Sequence, residues 1–467
     1  MNGRYVGAWQ QVRGGRDRFS YARGWLSDPQ SRALSLSLPM TSDAEITSDA
    51  VGYYFDNLLP DTQGIRDRIH TRFSTRSAST FDLLEAIGRD CVGAVQLLPQ
   101  GTEPSGWDTL NVERLKSKEI EAILRAVPTS SAPLFNRADE GGDFRISLAG
   151  AQEKTALTRI GRYWYKPLGS TPTTHILKLP LGLVGNRRLD LSNSVDNEWL
   201  CAQLLKELGL PVASTDIGQF GDQRALIVER FDRRWQNVGD GDPHAGSFAP
   251  LKDTWIARLP QEDFCQVTAR PHTAKYESEG GPSMRDILDV LARAESPASD
   301  QCLFMLAQLV FWMLAATDGH AKNFSIYLHR GGAFGLTPLY DVLSTWPVVG
   351  KRADQVDIHE LRLAMALRGK SAHYKIIEIQ ARHFRALADE YPDAKAWPAM
   401  IDLAYRVEGA IKAVGQRLPN GFAQAVWVPI SEGMLKQAKA FLSHPARSTT
   451  VSLLVPAEMK SAEKIRP

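Results

Sequence analysis

At 467 residues the chain exceeds what one hydrophobic core supports, so two or more packed units are expected. Hydrophobic residues at 43% and charged residues at 23% exclude a disordered chain, which would have too little apolar surface to offset ordering entropy. With 55 basic against 53 acidic residues the formal charge is +2, which excludes a global field drawing the molecule onto nucleic acid or an anionic membrane.

The N-terminal residues lack the apolar stretch of a secretion signal, and Cys91, Cys201, Cys265 and Cys302 form no C-x-x-C pair. That spacing argues against a zinc knuckle and a disulfide framework, and a reducing cytoplasm is the expected setting. The pattern before the first break, at 128–142, predicts a small α/β unit, with a β-favouring run at 34–38 and helices at 65–73 and 81–87. Strands follow at 154–160, 175–179 and 225–228. Between the last two lies a helix that Ser194 is read as capping, with Val195, Trp199, Ala202, Leu205 and Leu208 at helical spacing before Gly209 and Pro211 stop it. After the second break, at 236–250, helical patterns dominate. The most apolar run, 302–316, is shorter than the roughly 18 residues of a membrane span, so it predicts a buried helix and no membrane association. The tail from 444 is polar and reads as flexible. These elements predict an α+β fold with a mixed α/β N-terminal part and a mainly helical C-terminal lobe, an arrangement that forms a nucleotide-sized cleft between lobes.

Directly after the buried helix, Asp318 precedes Asn323 by the separation that phosphoryl transfer uses between a group orienting the attacking hydroxyl and a metal ligand. The stretch 324–328 reads as a strand, 329–335 as a glycine-rich turn, and 335–340 as a return strand, after Tyr340, to Asp341. Such a hairpin predicts Asp341 beside Asn323, two oxygen donors for one hard cation such as Mg²⁺. The plain alternative is that Asp318 caps a helix end and Asp341 closes a strand, which explains one acid at a time but not their spacing. Upstream, Lys178 lies inside a strand-like run, where a cation needs a partner or ligand. It is a candidate for ATP phosphates, with Glu198 on the following helix as a possible ion-pair partner; a lysine snorkelling from an edge strand is the alternative.

Two further segments carry weaker signals. Ser147 to Thr155 has small residues where backbone could approach phosphates, yet matches neither a Walker A loop nor G-x-G-x-x-G, so taken without the downstream acids a plain turn between strands is the better reading. Glu229, Arg230 and Phe231 close a strand before the second break, where backbone could face an adenine or simply form a charged strand end. No H-E-x-x-H and no G-x-S-x-G occurs, which removes support for metalloprotease and serine-hydrolase readings.

Taken with 55–61, 171–180, 194–198, 228–235, 259–263 and 315–324, the stretch 144–157 resembles the HipA family of serine/threonine kinases, over nearly the whole chain except its tail. The resemblance implies a two-lobed protein-kinase-like fold with an N-terminal subdomain at 1–105, a kinase N-lobe at 106–258, a helical C-lobe at 259–443 and a tail at 444–467. It implies Asp318 as the catalytic aspartate, Asn323 and Asp341 as Mg²⁺ ligands, and Lys178 on the ATP phosphates. It also implies that Ala149, Gly150, Ala151, Gln152, Glu153 and Lys154 form the phosphate loop and that Glu229, Arg230 and Phe231 line the adenine pocket. His320, Ala321, Lys322, Asn323, Tyr340 and Asp341 are then expected to contact nucleotide, and Ser147 to be autophosphorylated. Family members act as toxins by phosphorylating glutamyl-tRNA synthetase, which causes growth arrest and persistence. They pair with a helix-turn-helix antitoxin, HipB, through which operator DNA is contacted indirectly. A catalytically weak corepressor scaffold and a small-molecule kinase are the alternatives.

Overall fold

The computed structural model describes residues 1–12, 14–128, 147–150, 152–185, 187–246 and 248–443. The expected tail at 444–467, Ala151 and most of the first break lie outside the described residues. The fold is α+β, as expected, and divides into two compact units: residues 1–181, 213–275 and 325–332 form one, and 182–212, 276–324 and 333 onward the other.

The first unit is framed by a six-stranded sheet with the order Thr215–Phe220, Gln223–Glu229, His175–Lys178, Lys154–Ile160, Tyr163–Pro167, Val112–Leu115. Side chains alternate across a strand with period two. Leu157, Leu177, Ala225 and Ile227 therefore share a face, and pack with Ile120, Ile123 and Leu124 of the helix Ser117–Ala126. Burying each such side chain contributes roughly 1.5–3 kcal/mol. The register Lys154↔Lys178↔Leu226 sends the two lysines to the opposite face. Lys178 is only 6% exposed on a central strand, which overturns the reading of a lysine snorkelling from a sheet edge.

The N-terminal part of this unit has its own core of Phe19, Tyr21, Trp25, Val51, Tyr54, Phe55, Leu83 and Leu84, with Trp9 stacked on Phe55 at 4.1 Å. The helices Gln63–Phe73 and Thr80–Ile87 appear where the periodicity placed them, the second capped by Ser79 accepting from the Asp82 amide. The strand expected at 34–38 does not form: only an isolated bridge joins Ser35 and Leu38. Its polar groups are satisfied elsewhere, the Leu36 amide and Ser35 hydroxyl by Glu262 and the Leu38 carbonyl by the Tyr21 hydroxyl.

A buried ion cluster holds this unit together. Asp90 accepts from Arg233 at 2.8 Å, from Arg230 and Arg258 at 3.3 Å each, and from the Thr173 hydroxyl at 2.6 Å. Asp232 takes the other side of Arg230 at 2.9 and 3.0 Å and the Gly93 amide at 2.7 Å. Burial pushes the Asp90 carboxyl up, but the guanidiniums of Arg233, Arg230 and Arg258 outweigh it and hold it well below the usual carboxylate range.

The second unit is mainly helical, with helices Ser194–Glu207, Met284–Leu291, Pro297–Leu314, Ala381–Glu390, Ala396–Gly415 and Gln424–Leu442. The apolar run expected as a buried helix is Pro297–Leu314, buried from Leu303 to Leu314. Three expectations are corrected. Ser194 is the first helical residue rather than its cap, the flanking residue being Asn193 without a side-chain cap, so Glu198 lies past the first turn. The return strand spans only Phe334–Leu336, and Pro338, two residues on, cannot donate to a ladder. Helices do not account for everything after the second break: Arg362–Arg368 pairs antiparallel with Ala372–Lys375. Among the described residues no helix is long and apolar enough to cross a membrane.

Candidate active site

The strongest sequence signal lies where the central helix of the second unit ends. Ala315, the residue flanking that helix, adopts a left-handed conformation (φ 48°) and turns the chain out of the helix. Asp318 comes three residues later, so it does not cap the helix. Its backbone carbonyl accepts from the His320 amide at 2.8 Å and from the Asn323 side-chain Nδ2 at 2.6 Å. The Asn323 amide in turn donates to the His320 carbonyl at 2.9 Å, closing a 3-10 turn over Ala321–Asn323. Gly319 is required by sterics: a Cβ there would lie 2.4 Å from the Phe311 ring.

The Asp318 side chain is 59% exposed, in contrast to the 5% of the His320 ring, whose Nε2 lies 3.7 Å from Asp318 Oδ1. Ala321, Lys322 and Asn323 are buried. With its Nδ2 fixed on the Asp318 carbonyl, the Asn323 amide must present its oxygen in the opposite direction. Tyr340 donates from its hydroxyl to the Lys322 carbonyl at 2.9 Å and so ties the residue before Asp341 to the same turn. Asp341 is one of the few non-glycine residues with positive φ (58°), so it does not end a strand as the plain reading had it. A residue of that type is held in a sparsely populated region only where its surroundings fix it, and such positions gather at functional sites.

The other predicted residues lie in the first unit. Lys154 and Lys178 face each other directly across neighbouring strands. Gly150 has φ 106°, and a Cβ on it would fall 2.6 Å from the Lys154 ammonium, so the loop backbone lies against that cation. The segment 147–153 is tied down at Ser147, Gly150, Gln152 and Glu153. Ser147 is fully buried; its hydroxyl donates to the Leu58 carbonyl at 2.7 Å and its amide to the Asp90 carbonyl at 3.1 Å. Gly150 bridges to Pro60 and accepts from the Asp61 amide at 3.1 Å. Gln152 Nε2 donates to the Leu179 carbonyl at 2.6 Å, and Glu153 pairs with Arg68. Side chains of Gln152 and Glu153 are thus used for anchoring.

Glu229, Arg230 and Phe231 leave the sheet as expected, but the Arg230 guanidinium belongs to the Asp90 cluster. Any contact it makes with a base would therefore be through its backbone. Phe231 accepts at its carbonyl from the Tyr327 hydroxyl at 3.0 Å, and the two rings meet edge to face. A cavity of about 390 Å³ lies on the reverse face of the sheet from Lys178, lined by Arg159, His175, Asp216, Glu229 and His244 among others. Two features were missed from sequence: the clamp of Leu58 to Asp61 on the 147–150 segment, and Tyr276, whose hydroxyl donates to Asp318 Oδ1. The segment 55–61 was visible only as a motif, and a lone tyrosine 42 residues upstream gave no signal.

Among the described residues no three or more His, Cys, Asp or Glu side chains converge as a metal-binding group. A divalent ion would rely on one amide oxygen, one carboxylate and the phosphates of a nucleotide, which suits Mg²⁺, a cation that keeps waters and phosphate oxygens in its shell.

Comparison with known proteins shows the family and the fold. The family described as HipA-like C-terminal domain matches residues 146–420, and that described as HipA N-terminal domain matches 1–98. Y4mE of Sinorhizobium fredii, named as a kinase, is 34% identical over 350 residues, 74% of this chain and 76% of its own length. The serine/threonine-protein kinase toxin HipA of Shewanella oneidensis is 27% identical over 360 residues, 74% of this chain and 73% of its own. The solved Shewanella oneidensis complex of HipA, HipB and operator DNA superposes with a TM-score of 0.72 at 24% identity, covering 94% of this chain and 95% of that one, a likeness of fold. The two domain matches, one of which alone spans more than half of the sequence, show that the chain belongs to the HipA family.

Proposed function

We propose that the chain is an ATP-dependent protein kinase that transfers the γ-phosphate to a serine or threonine hydroxyl. The observation that carries this reading is the Asp318–Asn323 turn, in which one exposed carboxylate is held beside an amide whose nitrogen is already fixed. Asp318 would orient the acceptor hydroxyl and take its proton; transfer proceeds through a loose transition state, so orientation matters more than basicity. Asn323 and Asp341 would hold Mg²⁺, which when bound offsets charge on the phosphates. Lys154 and Lys178, directly opposite one another on neighbouring strands, would bring two ammonium groups to the phosphates of a bound nucleotide. The loop 149–154 would contribute backbone contacts, the Glu229 to Phe231 backbone would face the base, and His320 to Lys322 and Tyr340 would shape the nucleotide site.

The named relatives extend the reading to a toxin paired with a HipB-like antitoxin, contacting operator DNA through it. The family resemblance adds glutamyl-tRNA synthetase as target, growth arrest and persistence as outcome, and a cytoplasmic setting. Ser147 is the proposed autophosphorylation site. A phosphate there would set a dianion against the Leu58 carbonyl, so the modified segment must leave its present place and take the loop with it. Ser147→Ala is expected to abolish self-labelling while transfer to other proteins persists.

The test is incubation of the purified chain with γ-labelled ATP, Mg²⁺ and a cell lysate. A labelled protein carrying phosphoserine or phosphothreonine is expected, with transfer reduced about 10²-fold or more by Lys178→Met. Folded protein that labels no polypeptide, or labels only a small molecule, contradicts the proposal.

A further inference from the structure

We propose that Tyr276 is a positioning residue for Asp318, fixing one carboxylate oxygen so that the other faces the acceptor hydroxyl; this rests on the reading of Asp318 as the group that orients that hydroxyl. Both residues lie in the second unit. The Tyr276 hydroxyl donates to Asp318 Oδ1, the oxygen that also lies nearest His320 Nε2, at 3.7 Å. Oδ2 is left on the opposite side of the carboxyl carbon.

The need for such a restraint follows from exposure. At 59% side-chain exposure Asp318 has little packing to select its rotamer, and its backbone bonds to His320 and Asn323 restrain only the carbonyl. A carboxylate free to turn would spend much of its time aimed away from the acceptor, and misplacement by about 1 Å can cost about 10²-fold in rate.

Tyr276 is itself held from two directions. Its ring meets the buried His320 ring edge to face, with centroids 5.0 Å apart at 89°. Its carbonyl accepts from the amides of Glu279 and Gly281 at 3.0 and 2.9 Å, which closes the short turn after it. The next residue, Glu277, is the anchor: its carboxylate is 5% exposed and accepts from the Ala366 amide at 2.6 Å and from Arg368. The strand Arg362–Arg368 thus fixes Glu277, Glu277 fixes Tyr276, and Tyr276 fixes Asp318.

Tyr276→Phe removes the hydroxyl and keeps the ring against His320, so folding should be spared. We compare it with wild type and Asp318→Asn, measuring phosphate transfer from γ-labelled ATP across ATP concentrations at fixed Mg²⁺, with melting temperature alongside. The expected result is a fall of about 10- to 100-fold in the rate at saturating ATP, with the KM for ATP and the melting temperature unchanged. If Asp318→Asn abolishes transfer but Tyr276→Phe retains the wild-type rate, the role given to Tyr276 is wrong while that of Asp318 stands. A Tyr276→Phe loss that comes with a raised KM or lowered melting temperature marks a merely structural contact and also overturns it. Undiminished transfer by Asp318→Asn removes the underlying reading instead.

Discussion

Asp90 in the first unit and Asp318 in the second are both held by named donors, yet they are built for opposite purposes. Asp90 is 4% exposed and meets three guanidiniums and a threonine hydroxyl, so every lone pair is committed and none is left for a substrate. Asp318 is mostly exposed, carries a single tyrosine hydroxyl on one oxygen, and sits on a turn fixed through its backbone. The strength with which an acid is bound is therefore a poor guide to chemistry; what separates the two is whether the bonds leave an oxygen facing outward.

The contrast is sharpest in stability. Asp90→Ala takes from buried Arg258 its carboxylate partner and from Arg230 and Arg233 one of two, and is expected to cost about 3–5 kcal/mol, whereas Asp318→Asn should change stability by less than about 0.5 kcal/mol. Urea denaturation of both variants checks this, and equal losses would erase the distinction. Gly319→Ala should lie between them, because its methyl would collide with the Phe311 ring in the central helix. We expect a loss of about 1–3 kcal/mol together with reduced transfer, seen as a lower urea midpoint and a slower labelled-ATP rate.

The smallest effect concerns another buried acid, Glu262, which burial pushes up to about 8 against the bonds from Ser35 and Leu36. With its folded pKa raised above the ordinary 4.5, its contribution to stability is complete below that value and is lost as pH rises toward 8. Asp90 runs the other way: its depressed pKa stabilises the fold above the ordinary carboxylate range and that contribution fades as pH falls through it. Glu262→Gln should therefore flatten the urea midpoint between about pH 5 and about pH 8 and raise it at the upper end. A midpoint that keeps its wild-type slope would show that Glu262 does not titrate in this window.

The sequence already carried the parts of the fold that rest on local pattern. The strands around Lys154 and Lys178 and the apolar helix before Asp318 follow from period-two and near-continuous apolar runs. The spacing from Asp318 to Asn323 was visible too, since a turn of fixed length is a local feature. What was hidden depends on partners far along the chain. Arg362–Arg368 is composed of helix-favouring leucine, alanine, methionine and arginine, yet forms a strand because it pairs with Ala372–Lys375. The alternation at 34–38 looks like a strand, but Glu262 and Tyr21 take its polar groups. Asp90 meets arginines some 140 and 168 residues away, and no window of sequence shows that convergence.

The most direct test is to measure, on one preparation of the full chain, the rate of phosphate transfer from γ-labelled ATP to protein and the melting temperature, for wild type and Asp318→Asn. Transfer should fall about 10³-fold with an unchanged melting temperature. A variant that melts like wild type and still phosphorylates protein at the wild-type rate would contradict the assignment of Asp318.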